Sequence, residues 1–534
     1  RESSTMRIST SQFFESTSAT YQNNFSSVIK TQGQIDSGVR IQTAADDPVG
    51  AARLLQLQQQ KDMLGQYTTN MNSIKASLGS QETILDSINT ALQKASELAL
   101  GAGSGKSDAD RATIANELGS IEDQVFSLLN SKDAAGNYMF SGSKTDTPPY
   151  TRNNDGTYSY QGDDTQLNLK VSDTLSLAGS DTAKSFMENS VNTGRTQVTA
   201  LPVVDATGAV IPDNGKVSLS AGLITSSPVF NKSFVDGQPY TLAFTSSTQY
   251  KLTDAQGNDV TAEVPGNGVF DSTKEGAHSI SLRGVSFDIN LDLKDIPAVD
   301  QDAAVAGHSF TLEAKSDTFN ASRTPSNTST AQITGTVVAD AKAYSDSFPS
   351  SGAVIKFTSD TEYEIYTQPV TASSKSIASG TMTGDSITAM GVTFDFTGAR
   401  AAGDQFVVNS NNHQSQSALD TISQLRKALV IPSDKDPVAQ QTQKDAINSA
   451  IGNLKNASAG VDSARGSIGA RLKAVDIQTD ENISMGLAND STTAAIGNTD
   501  MAGASIDLAF QKAMLEASQL AFVKISQLSL FNQL

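Results

Sequence analysis

Cysteine and tryptophan are absent from this 534-residue chain, and histidine occurs only three times. Without cysteine there is no disulfide, no thiolate metal site and no cysteine nucleophile. The three imidazoles, on His278, His308 and His413, are scattered along the sequence, so we expect no metal site and no cofactor. Because no combination of nucleophile, base and metal can be identified, the sequence predicts a protein that is not an enzyme.

Basic residues are also few. The chain has 38 Lys and Arg against 57 Asp and Glu, a formal net charge of −19, and a surface of that sign repels nucleic acid. No run approaches the roughly 18 apolar residues that a membrane-spanning helix needs, and the amino end has no charged segment followed by an apolar one. We therefore expect no nucleic-acid binding, no membrane insertion and no secretory signal of that type.

Proline is missing from two long stretches of the sequence. Of the 14 prolines, only Pro48 precedes Pro148, and none follows Pro437. Proline breaks the interior of helices, so its absence leaves residues 49–147 and 438–534 free to be helical.

Both proline-free stretches repeat an apolar residue every seven positions, which is typical of long packed helices. In the first stretch, we predict a helix of about 45 residues that ends at Gly101–Gly105, followed by a second helix capped by Ser107 with Asp110. The predicted packing residues are Leu57, Leu64, Met71, Leu78, Leu85 and Leu92 in the first stretch, and Ile447, Leu454, Val461, Ile468 and Val475 in the second.

One apolar stripe cannot bury itself, so stripes at opposite ends of one chain are most simply buried against each other. We predict that Leu57, Leu64, Met71 and Leu78 pack against Leu454, Val461 and Ile468. The middle of the chain then becomes an insertion, and the two ends should lie together. A helical bundle that is internal to a monomer remains the alternative interpretation.

Shorter amphipathic segments occupy the two ends of the chain. Each carries too little apolar surface to offset the conformational entropy of ordering it alone, which indicates burial by neighbouring molecules. The predicted subunit-assembly residues are Phe14, Tyr21, Phe25, Phe510, Leu520, Phe522 and Phe531.

The middle of the chain changes to a period of two and is rich in Thr, Ser, Gly and Val, which is typical of antiparallel strands. It also repeats itself. Residues 244–250 resemble residues 357–363, and residues 284–288 resemble residues 391–395. We predict two related β domains, and the fold class is α+β and multidomain: a long antiparallel helical bundle from both termini with inserted antiparallel β domains.

The expected division of the chain follows from these patterns. Residues 1–5 are expected to be a non-native extension, with Met6 as the start. The further segments are a helical assembly segment 6–48, the front half of a rod 49–150, a hairpin region 151–194, β domains 195–322 and 323–410, the back half of the rod 411–490, and an assembly segment 491–534.

Two short motifs beside the rods carry a family resemblance. The segments 37–41 (Ser-Gly-Val-Arg-Ile) and 44–48 (Ala-Ala-Asp-Asp-Pro) resemble the amino-terminal signature of the bacterial flagellin family. Residues 498–502 and 526–532 are similar to the carboxy-terminal pattern of its hook-associated members. Arg40, Asp46 and Asp47 of the signature are expected to serve structural or intersubunit packing.

The resemblance implies a structural flagellar subunit with a flagellin-like rod, exported unfolded by the flagellar type III apparatus. It implies an extracellular adaptor at the hook–filament junction that contacts copies of itself and neighbouring hook-associated and flagellin subunits. It also implies an export chaperone on the carboxy-terminal helix. The alternatives are a flagellin filament subunit and, with less support because tryptophan is absent, an adhesive or carbohydrate-binding module on a helical stalk.

Overall fold

The structure is a computed structural model of the chain. It describes residues 3–103, 105–153, 156–205, 207–272, 277–349, 351–371, 373–411, 413–434 and 436–531. For residues 3–11, 341, 342, 345, 437 and 525–531 it describes the backbone alone.

Long helices occupy both ends of the chain, including the two proline-free stretches. They are α1 (Ser3–Ser37), α2 (Pro48–Ala102), α3 (Asp108–Leu129), α4 (Ala418–Leu429), α5 (Pro437–Gly497) and α6 (Met501–Phe531). Short helical turns lie between them at Lys184–Glu188, Ser227–Val229, Phe230–Phe234, Val235–Gly237, Thr261–Glu263, Gln301–Val305 and Ala341–Ser347.

The boundary between α2 and α3 is set by local chemistry. Helix α2 ends at Ala102, within the predicted break at Gly101–Gly105. Ser107 Oγ then accepts from Asp110 N at 3.2 Å, and Asp110 Oδ2 accepts from Ser107 N at 3.3 Å. This reciprocal pair satisfies two amide groups that the first helical turn leaves without partners. The predicted cap is confirmed.

Short strands fill the middle of the chain. They are β1 (Tyr150–Arg152), β2 (Tyr158–Tyr160), β3 (Asn168–Lys170), β4 (Ser176–Ala178), β5 (Thr196–Ala200), β6 (Val217–Leu219), β7 (Leu223–Ile224), β8 (Tyr240–Ser246), β9 (Gln249–Thr253), β10 (His278–Leu282), β11 (Val285–Leu291), β12 (Ser309–Ala314), β13 (Thr318–Arg323), β14 (Gln332–Val338), β15 (Ala353–Phe357), β16 (Glu362–Thr367), β17 (Ala378–Thr381), β18 (Ser386–Ala389), β19 (Val392–Thr397) and β20 (Gln405–Asn411).

The strands from β5 onward form two modules with matching topology. In module 1, β5–β12, one sheet has the order β5-β12-β8-β9 and the other joins β10, β11 and β6. In module 2, β13–β20, the corresponding orders are β13-β20-β15-β16-β17 and β14-β19-β18. The repeated glycines Gly284 and Gly391 both adopt positive φ at the turn into the equivalent strands β11 and β19, a conformation that suits glycine.

Each module has its own core of aromatic and aliphatic residues. Tyr240, Phe287 and Leu312 are buried in module 1, and Phe357, Phe394 and Phe406 are buried in module 2. Strand β13 pairs along its length with β20. The predicted boundary after residue 322 is therefore a few residues late, because β13 already belongs to the second module.

The chain divides into two compact units. Unit 1 contains residues up to Leu78, Asn168–Gly179 and residues from Gly469 onward, and unit 2 contains Gly79–Leu167 and Ser180–Ile468. Unit 1 therefore holds α1, α6, the β3–β4 hairpin and portions of α2 and α5, whereas unit 2 holds α3, α4 and both β modules. The predicted fold class, helices from both termini with inserted antiparallel β domains, is confirmed.

Candidate assembly surface

Aromatic side chains join the first and last helices within unit 1. The ring of Phe522 lies 5.4 Å from the ring of Phe14 and 6.2 Å from that of Tyr21, measured between centroids. Asn24 Nδ2 also donates to Ser518 Oγ at 2.6 Å. These contacts confirm the prediction that the two ends of the chain lie together, because aromatic residues provide most of the apolar area that such a helix pair can bury.

A second face of α6 remains exposed. Ile506, Phe510 and Leu520 are 71%, 66% and 63% exposed, and they follow one another at helical spacing. On α1, Phe25 and Ile29 are also exposed. A helix that is apolar on more than one side is usually buried, and an exposed apolar patch indicates an interaction site.

The predicted assembly residues thus fall into different environments. Phe522 contacts Phe14 and Tyr21 within the chain, and its contact with an adjacent subunit stays a prediction. Phe25, Phe510 and Leu520 remain available to a neighbour. Phe531 ends α6, but its side chain lies outside the described residues.

The connection from α1 to α2 is held by the end of α5. Gly38 has φ +68°, and its carbonyl accepts from Thr499 N at 2.9 Å, while Arg40 N donates to Gly497 O at 2.7 Å. The Arg40 guanidinium donates through Nη2 to Ile496 O at 2.8 Å. A cation that bonds the last carbonyls of a helix satisfies them and complements the helix dipole.

Asp46 organises the turn that precedes α2. Its carboxylate accepts from Thr43 N at 2.8 Å and forms an ion pair with Lys30 at 2.8 Å. The hydrogen bond from Lys30, followed by those from Thr43, lowers the pKa of Asp46 to about 2. Asp46 therefore stays ionised over the whole physiological range and ties the turn to α1.

Asp47 caps the start of α2. Its Oδ1 accepts from Gly50 N at 2.8 Å, and Pro48 occupies the first helical position, where a missing N–H costs nothing. The Gly50 amide, followed by Arg40, lowers the pKa of Asp47. A Cβ on Gly50 would lie 2.5 Å from both Asp47 Oδ2 and Ile41 Cδ1. The sequence analysis did not identify Gly50, although it follows the signature directly.

The seven-residue repeats lie on α2 and α5. Met71, Leu78, Leu85 and Leu92 are buried, as are the five repeat residues of α5, whereas Leu57 and Leu64 are half-buried. In unit 1, Asn489 Nδ2 donates to Leu57 O and Asn482 Nδ2 donates to Leu64 O, both at 2.9 Å.

The predicted pairing between the two repeats is wrong in register. Leu57 and Leu64 lie beside Asn489 and Asn482 instead of Leu454 and Val461. In an antiparallel pair, the start of one helix meets the end of the other, and α5 continues to Gly497, beyond the predicted limit at residue 490. The register is thereby displaced toward the end of α5.

A family model described as the bacterial flagellin N-terminal helical region matches residues 8–145. This range includes the capped turn at Arg40–Asp47 and helices α2 and α3. Residues 8–145 of this chain are similar to that flagellin region. The resemblance predicted from the sequence motifs is confirmed.

Flagellar proteins are among those similar to this chain. Flagellar hook-associated protein 3 of Salmonella typhimurium is 32% identical over 167 residues, 31% of this chain and 52% of that protein. The protein of the same name from Escherichia coli is 31% identical over 147 residues, 27% of this chain and 46% of that protein. The chain thus spans about half the length of these relatives.

Among solved structures, the flagellar junction protein of Legionella pneumophila is 18% identical with a TM-score of 0.46. That comparison covers 83% of this chain and 100% of the other.

A buried carboxylate inside the segment that the family model matches escaped the sequence analysis. In unit 2, Glu122 of α3 is fully buried and accepts from Arg152 Nη2, Arg426 Nε and Tyr158 Oη. The only sequence signal that Glu122 is buried is its position on an apolar helix face, because its hydrogen-bond partners are distant in sequence. In the part of the chain that the structure describes, no helix combines the length and apolar character required to cross a bilayer.

Proposed function

We propose that this chain is a structural subunit of the bacterial flagellum that acts as an adaptor at the hook–filament junction. The observation that carries the proposal is the α1–α6 pair, which presents Phe510 and Leu520 to solvent and in which α1 leads into a capped turn within the segment that the flagellin model matches. Two relatives named as hook-associated protein 3 support the junction over other positions in the flagellum.

The physical basis of this function is burial between copies. The stripe on α6 is exposed in the single chain and loses its contact with water when a neighbour covers it, which is favourable in proportion to the apolar area removed. Assembly would then join copies of this chain to one another and to neighbouring hook-associated and flagellin subunits. The protein would be located outside the cell, in the flagellum.

Export through the flagellar type III apparatus belongs to the same proposal. A chain without cysteine cannot be locked by a premature disulfide, and terminal helices with little internal burial require little work to unfold. An export chaperone would cover the apolar faces of α6 before secretion. We propose no catalytic role, no cofactor and no binding to nucleic acid or membrane.

The location of the protein on isolated flagella tests the proposal. Antibodies raised against β module 2 should label one short zone between hook and filament in immunogold micrographs. Labelling along the entire filament would instead identify a filament subunit, and absence of label from flagella would contradict both. Purified chain should also fail to elongate into long filaments by itself, whereas a filament subunit should elongate.

A further inference from the structure

An apolar groove lies in unit 1 where α2, α5 and the turn of the β3–β4 hairpin meet. We call it the α2–α5 groove. It has a volume of about 760 Å³, and its apolar lining includes Met63, Leu64, Leu175 and Met485. This volume is within the range of ligand and peptide sites, and methionine side chains adapt to varied partners.

The groove carries negative charge only. Among its lining residues are the carboxylates of Asp173 and Glu481, and none is Lys or Arg. The Tyr67 hydroxyl donates to Asp173 at 2.7 Å, which fixes that carboxylate at the groove wall. The partner that suits this lining is therefore apolar and carries a cation.

The other side of α5 presents such a surface. Ile483 and Leu487 are 64% and 72% exposed, and at 100° per residue each lies about 160° around the helix axis from Met485. Lys473 lies on the same side and makes no ion pair within the described part of the chain. We call Lys473, Ile483 and Leu487 the α5 ridge. Asp476 and Asp480 also lie on this side, and Asp476 pairs with Lys75 of α2 at 2.9 Å. Counted with Lys75, the ridge surface is near neutral, whereas the groove is acidic.

Groove and ridge also match in length. The groove extends along α5 from Gln478 to Thr492, and the ridge extends from Lys473 to Leu487. Each is 14 residues from end to end, or about 21 Å at 1.5 Å per residue. A shift of five residues between two parallel copies of α5 places Lys473 beside Gln478, within reach of Glu481.

We propose that the α5 ridge of a second copy of this chain docks in the α2–α5 groove. This inference rests on the proposed function as a self-assembling subunit, and it names the surfaces of one contact. Because groove and ridge lie on different sides of one helix, each copy offers its groove to one neighbour and its ridge to another. Such a head-to-tail contact builds rings or open chains, whereas a symmetric contact stops at a dimer.

The natural absence of cysteine allows a direct test. The full-length double variant Leu487→Cys with Thr492→Cys places one thiol on the ridge and one in the groove, at positions that the five-residue shift brings side by side. These thiols point to opposite sides of α5 and cannot bridge within one chain. Mild oxidation of concentrated protein should give a ladder of disulfide-linked multimers, whereas each single variant should give no ladder.

Several results would overturn the proposal. The first is that no ladder forms. The second is that only dimers form, in the same yield as with a single variant. The third is that, in isolated flagella, a disulfide joins the double variant to a protein of different mass. Circular dichroism and the melting temperature of each variant establish that it is folded before the result is assigned.

Charge reversal provides a second and independent measurement. Lys473→Glu or Glu481→Lys, each added to the double-cysteine variant, should lower the ladder yield roughly twofold to fivefold, as for a screened surface pair. Combining both reversals should restore the yield, and Asp295→Lys, at an exposed carboxylate of module 1, serves as a control without effect. Failure of the combined reversal to restore the ladder contradicts docking in this register.

The ladder and the labelling of flagella can fail separately. A ladder from purified protein together with absence of label on flagella would reject the proposed function and retain the contact. A labelled junction together with absence of a ladder would reject the contact alone.

Discussion

Arg426 Nε lies 2.9 Å from Glu122 Oε2, although 304 positions separate the two residues in the sequence. The other carboxylate oxygen, Oε1, accepts from Arg152 Nη2 and from Tyr158 Oη, each at 2.7 Å. One fully buried carboxylate therefore connects α3, the β1–β2 hairpin and α4. The charge is tolerated inside unit 2 because guanidinium groups and a hydroxyl satisfy both of its oxygens.

Replacing Glu122 should destabilise unit 2. Glu122→Ala opens a cavity and leaves the Tyr158 hydroxyl and two guanidinium groups without their acceptor. Because the two arginine side chains are 43% and 34% exposed and can be hydrated, the cost is on the order of 1–3 kcal/mol. Urea unfolding followed by circular dichroism measures the loss. Asp123→Asn is the matched control because Asp123 is exposed and pairs with Arg152 at 3.4 Å, and its cost should stay below about 1 kcal/mol. Equal midpoints for the two variants would show that the network does not stabilise the fold.

The sequence predicts the elements better than it predicts their register. The seven-residue repeat indicates α2 and α5, and Ser107 with Asp110 marks the start of α3, because these are local patterns. A repeat of seven is satisfied equally well after a slip of one heptad, about 10 Å along the helix. In the structure, Asn482 and Asn489 fix the register, because each donates a hydrogen bond to a carbonyl of α2. Which residue of α5 lies beside Leu57 depends on contacts between residues that are distant in sequence, so a local pattern does not predict it.

The same reason explains why the sequence does not distinguish the environments of the predicted assembly residues. The helical period places Phe510 and Phe522 on α6 but does not say which of the two faces α1. Gly50 was missed because its importance lies in a close approach to Ile41, and no local pattern shows such an approach. The Glu122 network depends on residues from three separate elements, so neither period nor motif predicts it.

Asp445 should make the stability of unit 2 depend on pH. Burial, opposed by hydrogen bonds from Ala221 N and Gln441, raises the pKa of Asp445 to about 6 from an ordinary value near 3.8. The folded state therefore binds a proton that the unfolded state has already released between these values. The free energy of unfolding should fall by about 2–3 kcal/mol as pH rises from about 4 to 7, through the folded pKa, and this contribution should be constant above about pH 7.

The Asp445→Asn variant isolates this effect, because an amide can still accept a hydrogen bond from Ala221 N but does not titrate. We expect the difference in unfolding free energy between the variant and the original chain to grow in favour of Asn from pH 4 to pH 7. Urea midpoints at both values measure the difference. Asp292→Asn, at an exposed carboxylate paired with Lys216, is the control. A pH-independent difference would contradict the assigned pKa.

Gly50→Ala should disturb the turn that joins α1 to α2. The new Cβ would lie 2.5 Å from Ile41 Cδ1 and from Asp47 Oδ2, so the cap or the turn must move. Overpacking of this kind costs typically about 1–3 kcal/mol. We expect earlier proteolysis within residues 38–47 and reduced swimming in a strain that carries the variant.

Gly65→Ala is the matched control for Gly50. Gly65 also lies in α2, but a Cβ there meets nothing within 4 Å. Alanine in an exposed helix interior is more favourable than glycine by about 0.5–1 kcal/mol, so this variant should be slightly stabilised and swim normally. Identical protease patterns for the two variants would show that the Gly50 contact has no structural consequence.

Leu520→Asp should abolish motility without unfolding the β modules. Leu520 is exposed in the single chain, so the change costs little there, but docking of a neighbour on α6 would require burial of an unpaired carboxylate. The melting transition of the purified protein should therefore be unchanged while swimming in soft agar is lost. Val299→Asp introduces the same charge at an exposed apolar residue of module 1 and should swim normally. Normal swimming by the Leu520 variant would remove α6 from the assembly surface, whereas loss in both variants would indicate a general effect of added charge.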